Sequence, residues 1–232
     1  INGDGISFPY SFPVGTTVVS VLVTDIHANT SACSYTVVVE DDELPVVTCP
    51  LTETQYPADA GECNATLSFE AVSTDNCGVA TIQYKIGGQL ITFPYDFPIG
   101  MTMVSVYVTD IHDNTSACTF TVNVEDLENP TITCEVPLAS YPTDSGDCDA
   151  TLSFMSMTGD NCGIAGTVYS IGGEAITFPY DFPVGTTTVS VVTEDNSGNT
   201  ASCLFEVTVA DEVNPVIVCA NPTNPYPTDV GT

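Results

Sequence analysis

The side chains of this chain that could do chemistry are mostly carboxylates. The sequence consists of successive copies of one unit, and the carboxylates lie in the same three segments of each copy. The segments are an acidic linker, a turn that contains Asp-Asn, and a turn that begins with Asp. Calcium takes six to eight oxygen ligands at about 2.3–2.6 Å, so acids brought from several loops to one pole of a domain would suit it. The sequence therefore predicts calcium as a cofactor. The candidate ligands are Asp41, Asp42, Glu43, Asp75, Asp110 and Asp113 in one copy and Asp126, Glu128, Asp160 and Asp195 in the next.

The same acids have a second interpretation. Asp110 and Asn114 would cap a tight turn, and the linker acids would be solvated. Gly198 stands where the preceding copy has Asp113, which argues against identical sites in every copy. Both interpretations stay open on the sequence alone.

Histidine and cysteine give no catalytic or zinc pattern. His27 and His112 occupy equivalent turn positions, but the third copy has Ser197 there, so we expect exposed turn residues. An active site would need a place where one copy differs from the others and brings a nucleophile, a base and an acid together, and the sequence shows none. The chain is therefore predicted not to be an enzyme. The cysteines of one copy lie too far apart in sequence for the close Cys-x-x-Cys pairs typical of zinc sites, which disfavours zinc.

Composition excludes further classes of function. Thirty acidic residues stand against one basic residue, Lys85, for a net charge of −29, so phosphate backbones and anionic lipids would be repelled. We therefore expect no nucleic-acid partner. Because 43% of residues are hydrophobic and only 13% charged, the chain is expected to fold. Apolar stretches are too short for a membrane span, so no membrane insertion is predicted for this segment.

The chain repeats itself with a period of about 85 residues. The phrase Phe8-Pro9-Tyr10 returns at residues 93–95 and 178–180. We predict four parts: the C-terminal part of a repeat at 1–40, complete repeats at 41–125 and 126–210, and the N-terminal part of another at 211–232. Both ends would then fall inside a domain, and the chain is interpreted as a window on a longer protein.

Alternation of apolar and polar residues predicts β-strands throughout. Residues 118–125 separate into an apolar and a polar face, as do 33–40 and 203–209. Several short strands per unit, divided by glycine and proline turns, predict an all-β fold of tandem immunoglobulin-like β-sandwich domains in an extended array. The recurrent Phe93-Pro94-Tyr95-Asp96-Phe97-Pro98 is interpreted as a packed corner between sheets rather than a platform for a sugar ring.

These motifs resemble the hyalin repeat, or HYR domain, over the whole chain. The resemblance is carried by residues 45–50, by Asp75-Asn76-Cys77-Gly78, by Phe97-Pro98-Ile99-Gly100, by residues 117–120 and 124–126, and in the third copy by 182–189 and 195–203. It implies an extracellular, cell-surface immunoglobulin-like module associated with adhesion.

The resemblance also implies a disulfide pairing, because two-cysteine members of the family keep the equivalents of Cys49 and Cys118. The expected bonds are Cys49 with Cys118, Cys63 with Cys77, Cys134 with Cys203 and Cys148 with Cys162. A rival pairing joins Cys49 with Cys63 and Cys77 with Cys118, since a strand that begins at Cys63 would carry the chain away from Cys77. A bond between Cys33 and Cys49 across the linker is a further alternative.

We predict a structural stalk or filament segment of a large repetitive cell-surface adhesin, which provides reach and stiffness. Its partners would be neighbouring repeats of the same chain. One alternative is an extracellular fibre in which other copies make lateral contacts, and another is a repeat module that binds a surface glycan or protein. The loops of successive copies are nearly as similar as their strands, which favours the spacer over a binding array.

Overall fold

The structure is a computed structural model that describes residues 5–53 and 55–219. The chain divides into two compact units, Ile1–Asp126 and Leu127–Thr232. Every regular element in the described ranges is a β-strand. These ranges contain no helix that is long and apolar enough to cross a membrane. The first four residues of the predicted partial repeat 1–40, and residues 220–232 of the predicted partial repeat 211–232, lie outside the described residues.

The first unit begins with a long hairpin. Its strands are β1 (Gly15–Thr24) and β2 (Thr30–Val39), paired antiparallel. The complete repeat that follows has nine strands: β3 (Val46–Thr48), β4 (Tyr56–Pro57), β5 (Asn64–Leu67), β6 (Val72–Thr74), β7 (Val79–Ile86), β8 (Gln89–Ile91), β9 (Tyr95–Pro98), β10 (Gly100–Asp110) and β11 (Thr115–Glu125).

Two layers of these strands form an immunoglobulin-like sandwich. Five strands make one sheet in the order β4-β11-β10-β7-β8, and the antiparallel pairs β3 with β6 and β5 with β9 make the other layer. Strands β10 and β11 place alternate side chains in the core because successive residues of a strand point to opposite faces. Val104, Val106 and Val108 of β10 are fully buried. Each such side chain stabilises the fold by about 1.5–3 kcal/mol relative to exposure.

The aromatic phrase at residues 93–98 packs in the core, as expected. Phe97 is fully buried, and its ring centroid lies 5.9 Å from that of Phe69 and 5.0 Å from that of Tyr95. The Phe93-Pro94 peptide bond is cis. Since aromatic pairs at these separations add to the burial of their area, this corner stabilises the contact between the layers.

The second unit repeats the architecture in strands that follow the same order. They are β12 (Thr131–Thr133), β13 (Tyr141–Pro142), β14 (Asp149–Leu152), β15 (Met157–Gly159), β16 (Ile164–Ile171), β17 (Glu174–Ile176), β18 (Tyr180–Pro183), β19 (Gly185–Asp195) and β20 (Thr200–Ala210). The sheet order is β13-β20-β19-β16-β17, with the pairs β12 with β15 and β14 with β18 in the other layer. Phe182 and Val189 are fully buried, like Phe97 and Val104 of the first unit.

Each unit contains one of the expected disulfides across its sandwich. Cys49 is bonded to Cys118, and Cys134 is bonded to Cys203, each with a Cα–Cα distance of 5.9 Å. The rival bonds of Cys49 with Cys63 or Cys33 are therefore wrong. The sulfurs of Cys49 and Cys118 pack against the core of the first unit.

The expected bonds of Cys63 with Cys77 and of Cys148 with Cys162 are wrong, because Cys77 and Cys148 are free thiols. Cys63 lies near the start of β10, because the strand that follows it, β5, pairs with Pro98. Cys77 lies near the end of β10, because the carbonyl of the next residue, Gly78, accepts a hydrogen bond from Ile111. The 11 residues of β10 span about 36 Å. Strands β5 and β6 thus carry the chain from one pole of the sandwich to the other.

In the second unit the same reasoning separates Cys148 from Cys162. The carbonyl of Cys148 accepts a hydrogen bond from Val184 beside the start of β19, and Gly163 accepts one from Asn196 beyond its end. The two cysteines therefore belong to opposite poles of this sandwich as well.

Candidate functional site

The three acidic segments of the first unit meet at one pole of its sandwich. Asp41 comes two residues after β2, Asp75 lies in the turn between β6 and β7, and Asp110 ends β10. Strand pairing brings the turns together because Asp110 is opposite Val79, the first residue of β7. Asp41, Asp75 and Asp110 each offer a carboxylate oxygen within 4.8 Å of the others. We call this set the acidic pole.

Asp110 organises the turn between β10 and β11. Its Oδ1 accepts hydrogen bonds from the backbone N–H groups of His112 and Asn114 at 2.8 and 2.9 Å, and its Oδ2 accepts one from Asn114 Nδ2 at 2.8 Å. Burial acts to raise the pKa of Asp110, but these hydrogen bonds outweigh it and hold the pKa below its ordinary value. Asp110 is therefore a carboxylate at neutral pH.

The same turn closes the three long hairpins β1–β2, β10–β11 and β19–β20, which supports the capping interpretation of Asp110 and Asn114. Asp25 and Asp195 accept the equivalent hydrogen bonds from Asn29 and Asn199, at 2.8 Å from the backbone N–H in each case. The residue before the asparagine has a left-handed backbone, with φ of 71° at Asp113 and 91° at Gly198. One turn thus accommodates Asp and Gly at this position, the latter without steric cost.

Asp75 has one satisfied and one unsatisfied oxygen. Its Oδ1 accepts hydrogen bonds from the backbone N–H groups of Cys77 and Gly78, both at 2.9 Å. Its Oδ2 is buried and has no hydrogen-bond partner. A buried polar atom without a partner is costly and calls for a specific explanation, such as a bound ion.

Asp41 is held by residues of the β10–β11 turn. Its side chain is only 3% exposed, and its Oδ2 lies 2.9 Å from Nδ1 of His112. Its backbone carbonyl accepts a hydrogen bond from Asn114 Nδ2 at 3.0 Å. His112 was expected to be an exposed turn residue, and this is wrong, because pairing with Asp41 leaves its side chain 29% exposed.

Three other predicted ligands of the first unit do not belong to the acidic pole. Asp42, Glu43 and Asp113 are exposed, since the linker and the tip of the turn direct them to solvent. In the second unit, Asp160 and Asp195 offer carboxylate oxygens within 4.8 Å of each other, and Asp160 Oδ2 is buried without a hydrogen-bond partner.

The remaining two predicted ligands lie in the linker region. Asp126 follows β11 as the last residue of the first unit, and Glu128 is exposed in the second. Their participation in a calcium site stays a prediction.

Cys77 is a neighbour of the acidic pole that sequence reasoning missed. Its sulfur, an imidazole nitrogen of His112 and a carboxylate oxygen of Asp41 lie within 4.8 Å of one another. Burial, a hydrogen bond with Asp41 and the nearby carboxylates raise the pKa of the Cys77 thiol above its usual value. Residues 41, 77 and 112 come from three separate loops, so no local spacing in the sequence could reveal the set.

Sandwiches of the same sheet order, each with the same disulfide, make this chain a tandem immunoglobulin-like repeat protein. Its strand order, cysteine positions and Asp-to-Asn turns recur in both units. A model of the HYR domain family matches residues 40–124 and 125–209, and the chain belongs to that family.

Relatives include two proteins named hyalin. The hyalin of Strongylocentrotus purpuratus is 31% identical over 227 residues, which cover 90% of this chain and 18% of the relative, and that of Lytechinus variegatus is 33% identical over 217 residues, which cover 89% and 39%. The chain thus spans less than two fifths of these relatives. A serine-rich adhesin for platelets from Staphylococcus aureus is 29% identical over 168 residues, with 64% of this chain and 7% of the adhesin covered.

A solved structure of fibronectin(III)-like modules from Clostridium thermocellum CbhA aligns with 77% of this chain and 100% of its own length. The sequence identity is 16% and the TM-score 0.33.

Proposed function

We propose that this chain is a stalk segment of a large extracellular, cell-surface adhesion protein, in which each repeat acts as a spacer of fixed length. The observation that carries the proposal is the recurrence of one disulfide-bonded sandwich with the same sheet order in both units. Recurrence of loops along with strands is typical of a spacer, since a binding array would vary its loops. Disulfides of this kind form and persist in oxidising, extracellular compartments.

The length of a repeat follows from its longest strands. Chain entry at Asp41 lies beside Asp110 at the end of β10, whereas the exit at Glu125 lies near the start of β10, since Val124 pairs with Gly100. The chain therefore enters and leaves at opposite poles of the sandwich. A strand of 11 residues spans about 36 Å, so each added repeat would lengthen the stalk by roughly that distance.

Small-angle X-ray scattering on arrays of increasing numbers of the 41–125 repeat tests the spacer role. A stalk gives a maximum dimension that grows linearly, by about 30–40 Å per repeat. A particle whose size grows only with the cube root of its mass, as in a compact domain, would contradict the proposal. Concentration-dependent growth in width would instead favour the fibre with lateral contacts.

The binding-module alternative has its own test. The same arrays can be applied to a glycan array and to candidate cell surfaces. Saturable binding by a single repeat, abolished by changes in its loops, would favour a module that recognises a glycan or protein over a spacer.

We also propose that the acidic pole binds calcium. Three convergent carboxylates and the buried, unpartnered Asp75 Oδ2 suit a hard dication, which would also relieve their mutual repulsion. Binding to the folded state alone raises the unfolding midpoint by mass action. Thermal unfolding with and without millimolar calcium tests this, with Asp75→Asn as the variant and exposed Asp42→Asn as its control. An unchanged midpoint in the wild-type protein would refute the site.

A further inference from the structure

A second set of metal ligands lies at the same pole and differs in chemistry from the carboxylate triad. Cys77 Sγ, an imidazole nitrogen of His112 and an oxygen of Asp41 are mutually within 4.8 Å. Thiolate and imidazole are the ligands that zinc and related transition metals prefer, whereas calcium prefers oxygen alone. This set of ligands therefore suits zinc or a related transition metal rather than calcium.

Three strand-anchored loops hold these side chains in place. Cys77 donates its backbone N–H to Asp75, His112 donates its own to Asp110, and the His112 ring contacts Asp41 at 2.9 Å. In a tetrahedral zinc site, sulfur and nitrogen ligands are separated by roughly 3.5 Å. Separations of no more than 4.8 Å within the set therefore need only small side-chain movements to reach that geometry. Water would complete the coordination.

The surroundings favour a dication at this position. Asp75 and Asp110 bring two further carboxylates to the same pole, and Asp75 Oδ2 is buried without a hydrogen-bond partner. That oxygen is an unsatisfied acceptor which a metal ion would stabilise. An open cleft of about 520 Å³ is lined by Asp41 and His112, so two of the three ligands border on solvent.

We propose that Cys77, His112 and Asp41 form a zinc-type transition-metal site in the first complete repeat. Binding breaks the S–H bond of Cys77, forms a metal–sulfur bond and releases the proton to solvent, with no change in oxidation state. The site shares Asp41 with the proposed calcium set, so the two ions exclude each other. The second complete repeat has Ser197 in place of His112 and lacks the imidazole ligand.

Cobalt titration of the intact chain tests the proposal, because a cobalt–thiolate bond gives a near-ultraviolet charge-transfer band. We expect one equivalent of Co²⁺ to produce this band and Zn²⁺ to abolish it by displacement. Cys77→Ser should remove the band. His112→Ser, which copies the second repeat, should weaken affinity by roughly tenfold or more, since the remaining ligands cannot replace the imidazole.

Two controls separate metal binding from folding. Cys148→Ser removes an exposed free thiol of the second unit and should leave the titration unchanged. Circular dichroism of the metal-free variants should match that of the wild-type protein, since a serine at the position of His112 is compatible with the turn of the second repeat.

Three results would overturn the proposal. The first is cobalt binding without the charge-transfer band, which would indicate oxygen ligands only. The second is a band that survives Cys77→Ser or an affinity unaffected by His112→Ser. The third is the finding, by alkylation and mass spectrometry of the purified oxidised chain, that Cys77 is engaged in a disulfide and unavailable to a metal. Loss of the titration on calcium addition supports the shared use of Asp41.

Discussion

Removal of the Cys49–Cys118 bond should destabilise the first complete repeat by an amount set by the loop that the bond closes. The two cysteines are separated by 69 residues. In the chain-entropy description, closing a loop of that length lowers the entropy of the unfolded chain enough to contribute about 4.4 kcal/mol at 25 °C. The double substitution Cys49→Ala/Cys118→Ala should cost the repeat that much stability, plus a small loss of packing where the sulfurs contact the core.

Urea unfolding followed by circular dichroism measures the effect, since the chain has no Trp. With a slope of about 1.5 kcal/mol per molar urea, a loss of about 4.4 kcal/mol lowers the midpoint by roughly 3 M. Hydrogen exchange with mass spectrometry then assigns the lowered transition to residues 41–125. The second repeat provides a matched case, because Cys134 and Cys203 are also separated by 69 residues. Cys33→Ser, at an exposed free thiol, serves as the control and should change stability by less than about 0.5 kcal/mol.

A loss of less than about 1 kcal/mol in both double variants would contradict this contribution, because it is well below the usual effect of such a bond. A difference between the two repeats of much more than that would also contradict it, since equal loops predict equal losses.

Four further predictions concern single positions. Gly198→Ala should destabilise the second unit by roughly 1 kcal/mol, because Gly198 has a left-handed φ of 91°. Gly166→Ala is the control and should not destabilise it, because Gly166 has an ordinary φ and open space around it. Urea unfolding measures both effects. Asp149→Asn, which copies Asn64 of the preceding repeat, should raise the thermal unfolding midpoint. Burial and repulsion from Asp181, Asp147 and Asp144 raise the pKa of Asp149, so the ionised carboxylate destabilises the fold near neutral pH. The gain in midpoint should shrink in high salt, which screens the repulsion. The pKa values of Asp110 and Asp195 are lowered in the folded state. The stability that these carboxylates contribute is therefore complete above the ordinary carboxyl pKa and is lost as the pH falls through their folded pKa values. Asp110→Asn and Asp195→Asn should flatten the acid side of the curve of stability against pH, and a curve that neither variant changes would contradict this. Trypsin should leave the oxidised protein uncut, because Lys85 lies in β7 between β10 and β8, and rapid cutting there would show that this strand frays.

Alternation in the sequence was sufficient to predict the strands that build the core. Residues 118–125 fall in β11, with Phe120, Val122 and Val124 buried as the pattern indicates. A period of two is readable because each strand buries one face and exposes the other. Capping of the turn by Asp110 and Asn114 was one of the two interpretations that the sequence left open, and the hydrogen bonds of Asp110 agree with it.

Pole assignments could not be read from the sequence. Cys63 and Cys77 are only 14 positions apart, yet β5 and β6 carry the chain between them along the length of the sandwich. Separation along the chain does not give the direction in which a strand runs, and the expected bond was wrong for that reason. The contact of His112 with Asp41 depends on long-range strand pairing across 71 residues, which no local pattern encodes.

Single-molecule pulling on a chain of these repeats tests the stalk most directly, because a stalk must keep its reach under load. While the Cys49–Cys118 bond is intact, only the 16 or so residues of a repeat outside the loop can extend, so an unfolded repeat should reach about 60 Å. After reduction all of its roughly 85 residues extend, and the length should rise to about 300 Å. We predict short unfolding steps in the oxidised protein and long steps only with reductant. Long steps without reductant would contradict the account of a disulfide-limited spacer.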